Sequence, residues 1–208
     1  FSYAILSGKG KLSFETINND LTVIHGITTA DLDRNGTIDL LTASFEGVSA
    51  FYNTITGSTN SFTMKQIAKG EQDKAPRLGT SEVETGTLSD GSLFIATIEP
   101  WHGNLLVVYT KPVDPNGLWI RTVIDQTFNQ GHALAVSDLN GDGYDEIVAG
   151  FRGRGTSLYV YTNRDKEGRM WERTLLDNNM ATSGISVSDI NSDGKPDIVA
   201  IGTSTNNI

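Results

Sequence analysis

Cysteine is absent from this 208-residue chain, so it has neither disulfides nor thiolate metal ligands. Long apolar runs are absent too. Hydrophobic residues come in short bursts, and none approaches the roughly eighteen residues that a membrane-crossing helix needs. Positive charge is scarce: 16 Lys and Arg stand against 25 Asp and Glu, for a formal net charge of −9. That balance argues against nucleic acid as a partner, because phosphates call for a basic face. Helical periodicity is also missing. The chain opens Phe1-Ser2-Tyr3 with no initiator Met and no basic, apolar leader, and reads as a mature or trimmed terminus.

What is present is a repeat. Asp31-Leu-Asp-Arg-Asn-Gly-Thr-Ile-Asp39, Asp138-Leu-Asn-Gly-Asp-Gly-Tyr-Asp-Glu146 and Asp189-Ile-Asn-Ser-Asp-Gly-Lys-Pro-Asp197 align without gaps. Asp31 lies 107 residues before Asp138, and Asp138 lies 51 before Asp189. One degenerate copy therefore belongs between the first two, and Arg77 to Thr110 fills the place with Thr87-Leu-Ser-Asp-Gly-Ser-Leu instead of an acidic loop. Trp119-Ile-Arg-Thr-Val-Ile-Asp125 recurs as Trp171-Glu-Arg-Thr-Leu-Leu-Asp177, with a weaker copy at Phe62–Ala68. Within the third copy, short runs rich in Val, Ile, Leu, Tyr and Thr predict strands over Ala133–Ser137, Glu146–Phe151, Ser157–Thr162 and Met170–Leu176. Four strands per repeat of about fifty residues describe a propeller blade.

The expected fold is thus all-β: a propeller of four-stranded blades, with 1–208 as a single domain. Blades are placed at 19–70, 77–125, 130–177, and 180–208 joined with 1–18. In that scheme the N- and C-terminal strands share one blade and close a four-bladed ring without free edges. The alternative is part of a larger, seven-bladed ring.

The acidic loops carry the first site. Oxygen side chains occupy positions 1, 3, 5 and 9: Asp31, Asp33, Asn35 and Asp39; Asp138, Asn140, Asp142 and Glu146; Asp189, Asn191, Asp193 and Asp197. Gly stands at position 6, and the backbone carbonyls of Thr37, Tyr144 and Lys195 are expected to complete each shell. Such donor sets suit Ca²⁺, with Mg²⁺ as a substitute. Asp, Asn and Gly also make ordinary turns, but three copies at repeat spacing call for ions. Three Ca²⁺ would move the formal charge from −9 to about −3. These loops, followed by a strand such as Ile147-Val-Ala-Gly150, resemble the FG-GAP/VCBS repeats of integrin-like propellers. The resemblance implies the fold and says little about function.

The opposite face is the second candidate. Six residues before the first loop Asp stand His25, His132 and Ser183, and the same period puts Arg77 in that column. Glu99, Trp101 and His102 are expected on the same face, with Phe45 and Glu46 from the first copy and Arg152 and Arg154 from the third. A bland reading has such residues tying neighbouring strands together. The functional reading is a carbohydrate site, with an aromatic ring stacking on the sugar and polar groups bonding its hydroxyls. Glu99-Pro-Trp-His-Gly-Asn-Leu-Leu-Val-Val-Tyr-Thr-Lys-Pro112, Trp119–Asp125 and the loop at Asp138 resemble the propeller domain of fungal aldos-2-ulose dehydratases over residues 77–162. That resemblance implies a sugar-handling pocket at His102.

Two functions follow from different classes. One is a lectin-like, calcium-binding propeller; the other is a sugar dehydratase, lyase or isomerase. In the second, His102 or His132 is the base, Glu99 its partner, and Arg77 or Arg152 the anion stabiliser. A protein-interaction scaffold is a third reading, with no positive sign. Three histidines also match the ligand number of a catalytic Zn²⁺, although no local ligand motif supports it. Calcium dependence suggests an extracellular location.

Overall fold

The computed structural model describes residues 1–6, 12–57 and 59–208, apart from the side chains of residues 3, 5, 6, 12 and 13. Among them there is no helix, and hence none long and apolar enough to cross a membrane. The chain opens with β1 (Ser2–Leu6) and β2 (Leu12–Thr16). The first four-stranded sheet is β3 (Gly26–Ala30), β4 (Asp39–Ser44), β5 (Gly47–Thr56) and β6 (Thr59–Ala68). A small ladder of β7 (Glu71–Gln72) and β8 (Leu78–Gly79) leads to the second, made of β9 (Glu82–Thr87), β10 (Leu93–Glu99), β11 (Leu105–Thr110) and β12 (Ile120–Asp125). The third is β13 (Gly131–Ser137), β14 (Glu146–Phe151), β15 (Ser157–Asn163) and β16 (Trp171–Asp177). The described chain ends on β17 (Thr182–Ser188) paired with β18 (Asp197–Gly202).

Every ladder is antiparallel and joins strands consecutive in the chain. The predicted strands of the third repeat match to within about two residues, and the degenerate repeat forms a complete sheet. The innermost strands β3, β9, β13 and β17 pack side by side in chain order. Their close approach requires Gly86, where a Cβ would lie 2.6 Å from both Phe94 and Val136.

The core lies between sheets. Alternate side chains of a strand point to opposite faces, and the middle strands use both. In β10, Ile95 joins a cluster with Leu41, Val48, Val83 and Val107, between sheets one and two. Phe94, Ala96 and Ile98 join Leu106, Val108, Ile147 and Tyr161, between sheets two and three. A smaller cluster of Val148, Leu158, Met180 and Ala200 covers the other face of sheet three.

The expected shared blade does not form among the described residues. β1–β2 and β17–β18 are two separate two-stranded sheets, and no ladder joins them. The first hairpin is held on sheet one, where the Phe1 ring stands edge-on to Phe51 at 5.0 Å and Asn18 Nδ2 reaches Met64 Sδ.

A polar lock recurs between sheets and explains the repeated Trp-x-Arg segments. Asp125, at the end of β12, accepts from Tyr161 Oη at 2.7 Å and Arg173 Nη1 at 2.9 Å in the next sheet. The matching position before sheet two is Ala68. There Glu99 supplies the carboxylate from within its own sheet, accepting from Tyr109 Oη at 2.6 Å, Thr97 Oγ1 at 3.0 Å and Arg121 at 2.8 Å and 3.0 Å. Glu99 is fully buried. Burial pushes its carboxyl up, while Arg121, Tyr109 and Thr97 pull it down. Removing one member of such a pair strands the other. Arg121→Met should cost about 3 kcal/mol, read as a lower urea midpoint at constant m-value. Arg164→Met, which breaks the exposed pair with Glu172, should cost less than about 1 kcal/mol.

Candidate functional site

The inner strands carry different chemistry at their two ends. At their starts, three imidazoles meet. His25 directly precedes β3, His132 lies in β13, and His102 lies on the loop between β10 and β11. His102 Nε2 is 3.0 Å from His25 Nε2, and one ring nitrogen of each histidine lies within 4.8 Å of the others. His132 sits at a register shift between Gly131 and Ala133, an irregularity of the kind that re-aims a side chain. His102 has a left-handed backbone, φ 49°, which is uncommon outside glycine. Gly103 lets the loop fold back, since a Cβ there would lie 2.2 Å from the Glu99 carbonyl.

The outer nitrogens are spoken for. His25 Nδ1 lies 3.1 Å from Ser81 O, and His132 Nδ1 lies 3.2 Å from Ser183 O. Each contact reaches the inner strand of the following sheet. With Nδ1 donating to a carbonyl, Nε2 is left with its lone pair facing the cluster. His25 Nδ1 is also 3.1 Å from Glu82 Oε1. Burial, with Glu84 adding to it, pushes Glu82 up to about 8. Burial lowers His102 to about 4, and His25, His132 and Arg152 add to the shift. Burial lowers His132 as well, again with Arg152 and His25 contributing. Burial therefore favours neutral rings at His102 and His132.

Trp101 stacks on His102 at 4.2 Å with 19° between planes, and Phe45 stands edge-on to Trp101 at 6.1 Å. Trp101 Nε1 is buried with no acceptor among the described residues. Beside them opens a cavity of about 310 Å³, lined by Arg77, Trp101, His102, Asn104, Asn129 and Gln130, among others.

Several sequence expectations change here. Glu99 points away from this face into the buried lock, so it is neither a base's partner nor a sugar ligand. Arg77 is not the column residue. Leu88 is buried as Leu32 is, which aligns Thr87 with Asp31 and puts Ser81 six residues earlier. Arg77 is instead an exposed side chain paired with Asp73 at 3.3 Å, at the rim of the cavity. Glu46 closes its own turn, accepting from Thr22 and Ser44. Glu82 was missed, and the degenerate strand carries no motif that singles it out.

At the other ends of the inner strands lie the acidic loops, about 20 Å away for six extended residues. All three share one geometry. The carboxylate at position 1 accepts the amides of positions 5 and 6: Asn35 and Gly36 on Asp31, Asp142 and Gly143 on Asp138, Asp193 and Gly194 on Asp189. Position 9 accepts the amide of position 2 through Asp39, Glu146 and Asp197. Carboxyl oxygens of Asp31, Asp33 and Asp39 lie within 4.8 Å of one another. Burial raises Glu146, and Asp142 and Asp138 add to it. Crowded anions around Gly turns fit a hard divalent ion.

With this geometry in place, comparison with known proteins is decisive for the family. A model described as the aldos-2-ulose dehydratase β-propeller domain matches residues 8–112. The chain belongs to this family. Residues 138–200 match the FG-GAP-like repeat. The propeller match covers the first acidic loop, the first three strands of the degenerate blade, His25 and His102, and starts well before the 77–162 suggested by sequence. An aldos-2-ulose dehydratase from Phanerodontia chrysosporium is 26% identical over a 154-residue alignment that covers 64% of this chain. The chain spans 17% of that relative's length.

The crowding of the imidazoles has a measurable consequence. In an NMR pH titration His102 should keep a neutral ring down to a midpoint of about 4. The unfolded chain, with an ordinary histidine value of 6.5, binds the proton first. Stability should therefore fall as pH is lowered from 6.5 toward 4. A His102 midpoint at the ordinary value would show that the ring is solvated rather than packed among the others.

Proposed function

We propose that the histidine face of this propeller is a metal-assisted site for a carbonyl sugar, with dehydration as its chemistry. The observation that carries the reading is the meeting of His25, His102 and His132, with the Nδ1 atoms of His25 and His132 on backbone carbonyls. Three converging imidazoles suit zinc, which in catalytic sites takes three protein ligands and leaves a position for substrate. The orphaned Trp101 Nε1 and the adjoining polar cavity mark the same place as unfinished without a ligand. When bound there, zinc would supply Lewis acidity toward a sugar carbonyl.

The chain's own groups account for the remainder. Trp101 and Phe45 offer apolar ring surface beside the cavity, suited to a sugar's C–H face. Arg77, Asn104, Asn129 and Gln130 offer donors for hydroxyls. Arg152, whose charge is felt by His102 and His132, favours negative charge developing on a carbonyl oxygen. Loss of water from a keto sugar removes a proton next to the carbonyl and expels the hydroxyl one carbon further on. The relative's name, a dehydratase of aldos-2-uloses, is consistent with that class. A second reading, sugar binding without turnover, is favoured by the same cavity, whose donors would hold hydroxyls whether or not a bond breaks.

The acidic loops are proposed as three calcium sites that brace the turns between the first and second strands of their blades. Calcium dependence would suit an extracellular setting, where the ion is plentiful.

Two experiments test these readings. Metal-depleted protein should take up about one equivalent of Zn²⁺ or Co²⁺ at the histidines, and His102→Ala and His132→Ala should each abolish it. Incubation of the zinc-loaded chain with an aldos-2-ulose should raise ultraviolet absorbance as a conjugated enone forms; saturable binding with no absorbance change would decide for the lectin-like reading. For the loops, EGTA should lower the melting temperature and excess Ca²⁺ restore it. Asp138→Ala should blunt that response while leaving Co²⁺ uptake intact.

A further inference from the structure

Glu82 has no place in the readings above, yet it makes the one difference between two otherwise matched histidines. His25 and His132 occupy the same position in their blades. Each directs Nδ1 to the carbonyl of the column residue in the next inner strand, Ser81 for His25 and Ser183 for His132. The residue after Ser183 is Gly184; the residue after Ser81 is Glu82. His132 therefore has a carbonyl alone, whereas His25 has a carbonyl at 3.1 Å and a carboxylate oxygen at 3.1 Å.

The position of Glu82 is costly by itself. Its side chain retains 20% exposure, and Glu84, two residues on, is on the same face of β9. Glu84 is held by Thr28 Oγ1 at 3.0 Å. Two carboxylates packed between β3 and β9 lose hydration and repel each other. Fold stability does not require this pair, since β17, the inner strand that His132 reaches, carries Gly184 and Ser186 there.

We propose that Glu82 is a positioning residue for the histidine site: it holds His25 in the Nδ1–H tautomer and fixes the ring so that Nε2 faces His102 and His132. The inference rests on the metal-site reading of the three histidines. A carboxyl oxygen behind a metal-ligating imidazole sets its tautomer and orientation by accepting from the ring N–H remote from the metal.

The test compares Glu82→Ala, Glu82→Gln and Glu84→Ala by two readouts. Long-range ¹H–¹⁵N spectra of the metal-free protein report the His25 tautomer directly. Wild type should show Nδ1 protonated; Glu82→Ala should show a mixture; Glu82→Gln, whose amide oxygen still accepts, should resemble wild type. Co²⁺ titration followed by visible absorption should show affinity reduced about 10- to 100-fold in Glu82→Ala, largely restored in Glu82→Gln, and unchanged in Glu84→Ala. Equal melting temperatures of the three variants at pH 7 would exclude general unfolding as the cause. A wild-type tautomer together with wild-type Co²⁺ affinity in Glu82→Ala overturns the role of Glu82 and leaves the metal site standing. Failure of the wild type to bind Co²⁺ overturns the metal site instead, and the tautomer measurement then decides by itself whether Glu82 clamps His25.

Discussion

Two-sided burial of the middle strands is the constraint from which the rest of this structure follows. A sheet with one wet face can end anywhere; a sheet with an apolar core on each face needs a neighbour on each side. β10 shows the demand between Phe94 and Ile98, sending Ile95 to one core and Phe94, Ala96 and Ile98 to the other. Stacking sheets in this way lays the inner strands side by side. Residues at equivalent positions in successive repeats, about fifty apart in sequence, then become neighbours in space. The contacts of His25 with Ser81 and of His132 with Ser183 arise from that translation of repeat into proximity.

The two ends of the inner strands divide the chemistry by charge. Nine carboxylates occupy the ligand positions of three turns at one end, where backbone amides absorb part of their repulsion. At the other end three imidazoles meet, and burial and Arg152 favour the neutral form of His102 and His132. Neutral nitrogen lone pairs and crowded carboxylates select different cations, one borderline and one hard. The separation of about 20 Å along the strands keeps the two environments electrostatically distinct at physiological ionic strength, where screening acts over about 8 Å.

The degenerate blade shows how the fold absorbs a broken repeat. It lacks the acidic loop, yet all four strands form, because its alternation of apolar residues is intact. It also lacks an aspartate from the preceding strand, where Ala68 stands, and Glu99 restores the lock from inside the sheet. That substitution accounts for Glu99 being taken from sequence as a surface group. Its place beside Pro100, Trp101 and His102 resembles part of a site, but Glu99 is the last residue of β10 and points into the sheet, whereas the next three residues belong to the loop that follows.

Periodicity by itself determined the strand pattern, the number of acidic loops and the placing of two histidines in one column, because side-chain alternation and turn chemistry are local properties of the chain. Pairings between repeats were decided only in three dimensions. His102 joins His25 and His132 through a loop that no period predicts, Ser81 rather than Arg77 stands in the column because the degenerate blade shifts the count, and Glu82 reaches His25 across 57 residues of sequence. The physical reason is that a repeat specifies which residues are equivalent, whereas the packing of one sheet on the next specifies which of them touch.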